Sequence, residues 1–216
     1  AGQLGIKTDD VVGFTKVMID MGESTNLSAE EAAESIAKIA NITGLTSDEY
    51  QKFGSATVAL GNNFATTERD IVTMTNRLAA AGTLAGLTEP EILGLATAMS
   101  SVGIEAEAGG TAMTQTLNAI ENAVASGGES LDQFAKVSNM SSDNFAKTWK
   151  KKPIDAIQAF IKGLGELDEK GESATLVLDE MGLSGVRQSN MLKSLGLASE
   201  TTSGAVKTAT RAWKEN

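Results

Sequence analysis

The 216-residue sequence contains no cysteine and no histidine. Their absence excludes disulfides, iron–sulfur clusters, cysteine nucleophiles, histidine-based triads and the usual Cys/His zinc sites. Proline occurs twice and aromatic residues make up 4% of the chain, so a core has to be packed from aliphatic and small side chains. That supply suits helices in close approach better than sheets, which draw on aromatic and β-branched residues. No apolar run approaches the ~20 residues that span a bilayer. The N-terminus has no basic segment followed by an apolar stretch, so no signal peptide is expected. The first residue is Ala1, not Met, and a piece of a longer protein is the expectation.

What is present is 41% hydrophobic, enough for a buried core and too much for wholesale disorder. The net charge of −10 is unevenly spread: residues 1–110 carry 6 Lys+Arg against 15 Asp+Glu, residues 111–216 carry 12 against 13. The halves therefore stand at −9 and −1. An acidic first half repels phosphates, so no specific nucleic-acid binding is expected.

One pattern recurs along the chain: a turn, a hydroxyl residue, an acid three places on, then an apolar stripe. Ser28 with Glu31, Thr46 with Glu49, Thr67 with Asp70 and Thr88 with Glu91 read as N-caps, in which a side-chain oxygen accepts an orphan backbone N–H and the acid meets the positive end of the dipole. Pro90 fits the first turn, where its missing N–H does no harm. Gly22, Gly44, Gly61, Gly103 and the Gly127-Gly128 pair read as helix stops. Between these marks the apolar spacing is helical: Phe14, Met18 and Met21; Tyr50, Phe53 and Leu60; Ile71, Met74 and Leu78; Ile92, Leu95, Met99 and Val102; Met113, Leu117 and Ile120; Ile154, Ile157 and Ile161. No stretch alternates with period two. The prediction is an all-α, compact multi-helix bundle of short helices. It forms either one domain or two sub-bundles, an acidic one over residues 1–125 and a second over 129–216. The stripes are too interrupted for a coiled coil over several heptads. Gly44-Leu45-Thr46-Ser47-Asp48-Glu49 and Gly86-Leu87-Thr88-Glu89-Pro90-Glu91 match in pattern, with 26–31 a weaker third copy. Capping chemistry alone generates such a match; a duplicated helical hairpin is the alternative.

The chemistry on offer is thin. Glu30, Glu31 and Glu34 fall on a first helical turn, and Glu105 with Glu107 in a short loop. The dipeptides Glu34-Ser35, Glu129-Ser130 and Glu172-Ser173 are similar to the catalytic Glu-Ser of lytic transglycosylases, but none is followed by that family's Gly-Leu-Met-Gln-like segment. Glycoside cleavage also wants aromatic walls for the sugar, and one Tyr and two Trp furnish few. Gly54, Gly61 and Gly109-Gly110 belong to no phosphate-binding loop and read as helix stops. Asp9-Asp10 and Asp168-Glu169 lack the alternating ligands of a calcium loop. Lys150-Lys151-Lys152 beside Trp149 reads as a helix C-terminus ahead of Pro153. No catalytic, cofactor-binding or metal-ligating residue is assigned, and no cofactor is expected.

Where the chemistry stops, the order of segments continues. The run Asn76-Arg77-Leu78-Ala79-Ala80-Ala81-Gly82-Thr83-Leu84-Ala85-Gly86-Leu87-Thr88 leads into Ile92-Leu93-Gly94-Leu95-Ala96-Thr97-Ala98-Met99 and ends at Val102-Gly103. Later come Phe145-Ala146-Lys147-Thr148-Trp149, Pro153-Ile154-Asp155-Ala156-Ile157, Phe160-Ile161-Lys162-Gly163-Leu164, Leu178-Asp179-Glu180-Met181-Gly182-Leu183 and Val186-Arg187. In order and spacing the chain resembles the core region of tail tape measure proteins of long-tailed bacteriophages and prophages, over nearly its whole length. The resemblance implies a structural, non-enzymatic part of virion assembly. Its parent protein would lie in the lumen of the tail tube, after assembly in the host cytoplasm, template tube polymerisation, set tail length and leave with the DNA on infection. The partners so implied are the tail tube protein, tail assembly chaperones and baseplate or tip proteins, with membrane contact only during infection. Two other classes compete: a helical muramidase-like domain using one of the acids, and a membrane-active module built on small-residue helices such as residues 79–85.

Overall fold

The caps foreseen in the sequence organise the helices. The computed structural model describes residues 4–216, Asp168 in its backbone only, and among them are twelve α-helices, short 3-10 turns and no strand. In chain order these are α1 (Val11–Ser24), α2 (Ala29–Thr43), α3 (Glu49–Asn63), α4 (Glu68–Leu84), α5 (Glu89–Ser101), α6 (Ala106–Ser126), α7 (Gly128–Val137), α8 (Ser142–Lys151), α9 (Pro153–Gly165), α10 (Ala174–Glu180), α11 (Val186–Leu197) and α12 (Ser199–Glu215).

At the start of α2, Ser28 forms a full capping box. The Glu31 amide donates to Ser28 Oγ at 3.1 Å, and the Ser28 amide donates to Glu31 Oε2 at 2.8 Å. At α4 the Asp70 amide donates to Thr67 Oγ1 at 3.2 Å, and at α5 the Thr88 amide donates to Glu91 Oε2 at 2.8 Å. Thr46 differs. Its amide and hydroxyl both donate to Glu49 Oε2, at 2.9 and 2.8 Å, but α3 starts three residues later at Glu49, after a turn. Leu27, Leu45 and Leu87, each one residue before the hydroxyl residue, are all buried. The near-repeat is thus a unit in which a buried leucine anchors the chain just ahead of a capped helix.

The expected glycine stops divide. Gly44, Gly103 and Gly127 close helices in left-handed or related positive-φ backbone. Gly22 and Gly61, and likewise Gly54, Gly109 and Gly110, lie inside helices, which corrects their reading as stops. Gly22, Gly61, Gly109 and Gly110 are sites of crowding instead, while a Cβ on Gly54 would meet Met21 and Val17 at an ordinary 3.4 Å. A Cβ on Gly22 would lie 2.9 Å from the Ala29 backbone nitrogen, and one on Gly110 would lie 2.5 Å from Arg77 Cβ.

α5 is the axis of the fold. A stripe was expected on it, yet Pro90 and every residue from Ile92 to Met99 are buried, so the helix is covered on all sides. The uncharged run Ile92-Leu93-Gly94-Leu95-Ala96-Thr97-Ala98-Met99 permits this, and Thr97 satisfies its hydroxyl by donating to the Leu93 carbonyl at 2.8 Å. Burial of Ile92, Leu93, Leu95 and Met99 contributes roughly 1.5–3 kcal/mol per side chain. α4 and α12 pack most extensively on α5, and α12 also lies along α3 and touches α9. The core is therefore continuous across the Gly127 turn: α12 fills the space between helices of the first half, and α11 packs on both α9 and α6.

Candidate functional site

The acids that could have served catalysis lie apart on the surface. Glu30 and Glu34 sit on the early turns of α2, Glu30 in its first, and Glu34 is exposed. Glu31 is held by the Ser28 cap and by Arg69, whose guanidinium meets its carboxylate through Nη1 at 2.9 Å and Nη2 at 3.0 Å. The Ser28 backbone and hydroxyl hydrogen bonds, helped by the Arg69 charge, hold this carboxyl below the ordinary carboxylate range. Glu105 is the N-cap residue of α6 and Glu107 lies in its first turn, which corrects the expectation of a loop for Glu107. Glu129-Ser130 opens α7 on an exposed face, and Glu172-Ser173 precedes α10. The structure brings none of these dipeptides together with a second carboxylate and an aromatic wall.

The aromatic residues are occupied elsewhere. Phe14 meets Tyr50 edge-on at 5.1 Å, Phe134 packs against Phe145 at 6.0 Å and Phe160 at 5.0 Å, and Phe53 meets Trp213 at 6.4 Å. Trp149, singled out beside the lysine run, is buried, and its Nε1 donates to Glu121 Oε2 at 2.6 Å. This link from α8 to α6 spans 28 positions, and nothing in the sequence marked Glu121 as its partner. Lys150 and Lys151 occupy the last turn of α8, Lys152 caps it, and Pro153 opens α9.

The concave surfaces are shallow grooves between helix ends. One cleft of about 180 Å³ between α7 and α10 has Val137, Leu167, Val177 and Met181 as its apolar lining and Lys136, Lys170 and Glu172 among its polar groups. Lys136 pairs with Glu172 at 3.4 Å, and Lys170 with Glu166 at 3.3 Å, so these rim charges are already matched. A second groove, bounded by α9, α12 and the start of α5, presents Lys152, Lys207, Arg211 and Lys214. At the far end of α5 a third notch carries Asp70 and Glu105 and no cation. Among the described residues no cluster of three or more Asp and Glu side chains could hold a metal ion, and no helix is long and apolar enough to cross a membrane.

The family model of phage-related minor tail proteins matches residues 1–214. The chain belongs to that family. It is 29% identical, over 119 residues, to the "Probable tape measure protein" of Halomonas phage phiHAP-1, a match covering 51% of this chain and 14% of that protein. The chain thus spans a small part of the length of the curated relative it matches. No solved structure matches. This is a tape measure-like region of a phage minor tail protein, a structural component of the virion tail, and the resemblance read from the order of its segments is confirmed.

Proposed function

We propose that the chain is a folded module of a tape measure protein that lies in the lumen of the tail tube, templates tube polymerisation and leaves with the DNA on infection. The observation that carries this reading is the tape measure relative together with a family match over almost the whole chain. The partners of the module are then the tail tube protein, tail assembly chaperones and baseplate or tip proteins. Its role is structural and not enzymatic. The dispersed acids and core-bound aromatics favour this reading over a muramidase, because glycoside cleavage needs two carboxyl groups facing across a bound sugar.

The fold also bears on how the module relates to tail length. A helical ruler adds ~1.5 Å per residue, whereas this chain turns back on itself at every cap. Graded in-frame deletions between Thr88 and Val124, in the phage that carries this protein, test the proposal by electron microscopy of the particles. Loss of α5 uncovers the apolar faces of α4 and α12, so absent or aberrant tails are expected. Tails shortened in strict proportion to the residues removed would show that the region is extended in the tube and would overturn the folded-module reading.

A further inference from the structure

The fold is electrically polar along α5. The helix runs from the cationic groove at its N-terminal end to the acidic notch at its C-terminal end, a distance of about 20 Å for its 13 residues at ~1.5 Å each. The groove is open and exposed. Lys207, Arg211 and Lys214 project from one face of α12 at helical spacing, and Lys152 forms the opposite wall. None of these four makes an ion pair within the chain among the described residues. The groove also contains Glu91, Asp155 and Glu215, so its four cations exceed its carboxylates by one, and exposed Lys150 and Lys151, which immediately precede Lys152, add to the positive side. Apolar Ile154 and Val206 contribute to the floor.

We infer that this groove docks the acidic end of a second copy of the chain, so that copies associate head to tail along the direction of α5. The matching surface is the notch at the starts of α4 and α6, where Asp70 and Glu105 face solvent with exposed Glu107 beside them. Charge complementarity selects the occupant: Asp70 and Glu105 line the notch with no cation, and Lys152, Lys207, Arg211 and Lys214, which form no ion pair among the described residues, lie at the other end of the same helix. The two surfaces are different patches, so the contact is heterologous and repeats from copy to copy instead of closing a two-fold dimer. The long-range repulsion between two chains of net −10 makes the association weak and strongly dependent on salt. This inference is independent of any role in setting length.

Two charge-reversed variants of the 216-residue chain decide it. Lys207→Glu/Arg211→Glu destroys the groove and keeps the acidic end; Asp70→Lys/Glu105→Lys does the converse. All four side chains are exposed, and circular dichroism and melting verify that both variants fold. In sedimentation velocity the wild-type chain should grow in mass with concentration, while each variant alone stays monomeric. In a mixture of the two, each native pole meets its native complement and each reversed pole meets its reversed complement, so growth in mass with concentration should return. The dissociation constant should weaken about tenfold or more when the Debye length falls from ~10 Å to ~3 Å. A wild-type chain that stays monomeric up to about 1 mM, the weak limit of ordinary association, would overturn the inference. So would variants that associate like wild type, or a groove that binds a short DNA duplex while the chain remains monomeric.

Discussion

Gly94 faces the α12 backbone at Val206, and adding one carbon there tests the packing of α5 against α12 directly. A Cβ at this position would lie 2.5 Å from Val206 Cα and 2.8 Å from the Val206 nitrogen. Restoring a relaxed separation of roughly 3.5 Å requires α12 to retreat by about 1 Å. The obstacle is backbone, which cannot rotate away, and α12 is held on its other side by α3. Overpacking of this kind costs about 1–3 kcal/mol, offset by less than about 1 kcal/mol of helix propensity gained in Gly94→Ala. Net destabilisation of about 1 kcal/mol should lower the melting temperature by roughly 2–4 °C in a chain of this size. Gly204→Ala, two residues from Val206 within α12, is the control. Its Cβ would meet only the Phe64 ring at 3.7 Å, an ordinary contact. It should stabilise by about 0.5–1 kcal/mol and raise the melting temperature by roughly 1–4 °C. Differential scanning calorimetry of both variants reads the two signs. A Gly94→Ala chain as stable as wild type would refute close packing of α5 against α12.

Glu121→Ala should leave the buried Trp149 indole N–H without its acceptor and cost about 1–3 kcal/mol in urea denaturation; Glu121→Gln, which restores an oxygen, should lose much less. Glu31 gives a pH signature. Its carboxyl is held below the usual 4.5 by the Ser28 hydrogen bonds and by Arg69, so it stabilises the fold above that value, and the contribution disappears as pH falls through the depressed folded value. Glu31→Gln should therefore melt below wild type at neutral pH and converge with it in acid, and an equal deficit at both would contradict the assignment. Ser28→Ala should cost about 1 kcal/mol in chemical denaturation, a loss measurable against Thr46→Ala, whose helix starts without a side-chain cap.

What the sequence could reveal was local chemistry. Caps at Ser28, Thr67 and Thr88 depend on residues three positions apart, so spacing alone finds them, and Pro153 announces α9 by its own geometry. Glycine was ambiguous because the same residue serves two purposes: Gly44 supplies a left-handed cap, while Gly110 lets α6 approach α4. Only the tertiary neighbour distinguishes them. The encasement of α5 was misread as a stripe because periodicity detects contrast between faces, and a helix buried on all faces has none. The partners of Trp149 and Gly94 lie 28 and 112 positions away and leave no local mark. The candidate site was legible chiefly as an exclusion: missing His and Cys and few aromatics removed most enzyme classes, while the cationic groove joins Lys152 to α12 residues more than fifty positions later.

Under the proposed placement in the tail tube, the same contacts oppose an extended form of the chain. Drawn out as one straight helix, 216 residues would reach roughly 320 Å at ~1.5 Å each, whereas the longest helix here, α6, has 21 residues and measures about 31 Å. Extension would strip the cover from α5, whose eight consecutive residues from Ile92 to Met99 are buried. Something else would then have to bury them, at roughly 1.5–3 kcal/mol for each large side chain. Parallel copies wound as a coiled coil would supply such a surface only with an unbroken heptad seam, and here the seam is cut at Gly44, Gly86, Gly103 and Gly127, all in positive-φ backbone. A continuous rod therefore gains no partner for the apolar surface it exposes. The bundle keeps that surface covered, which is why the folded form and not a drawn-out helix is the stable state of these residues.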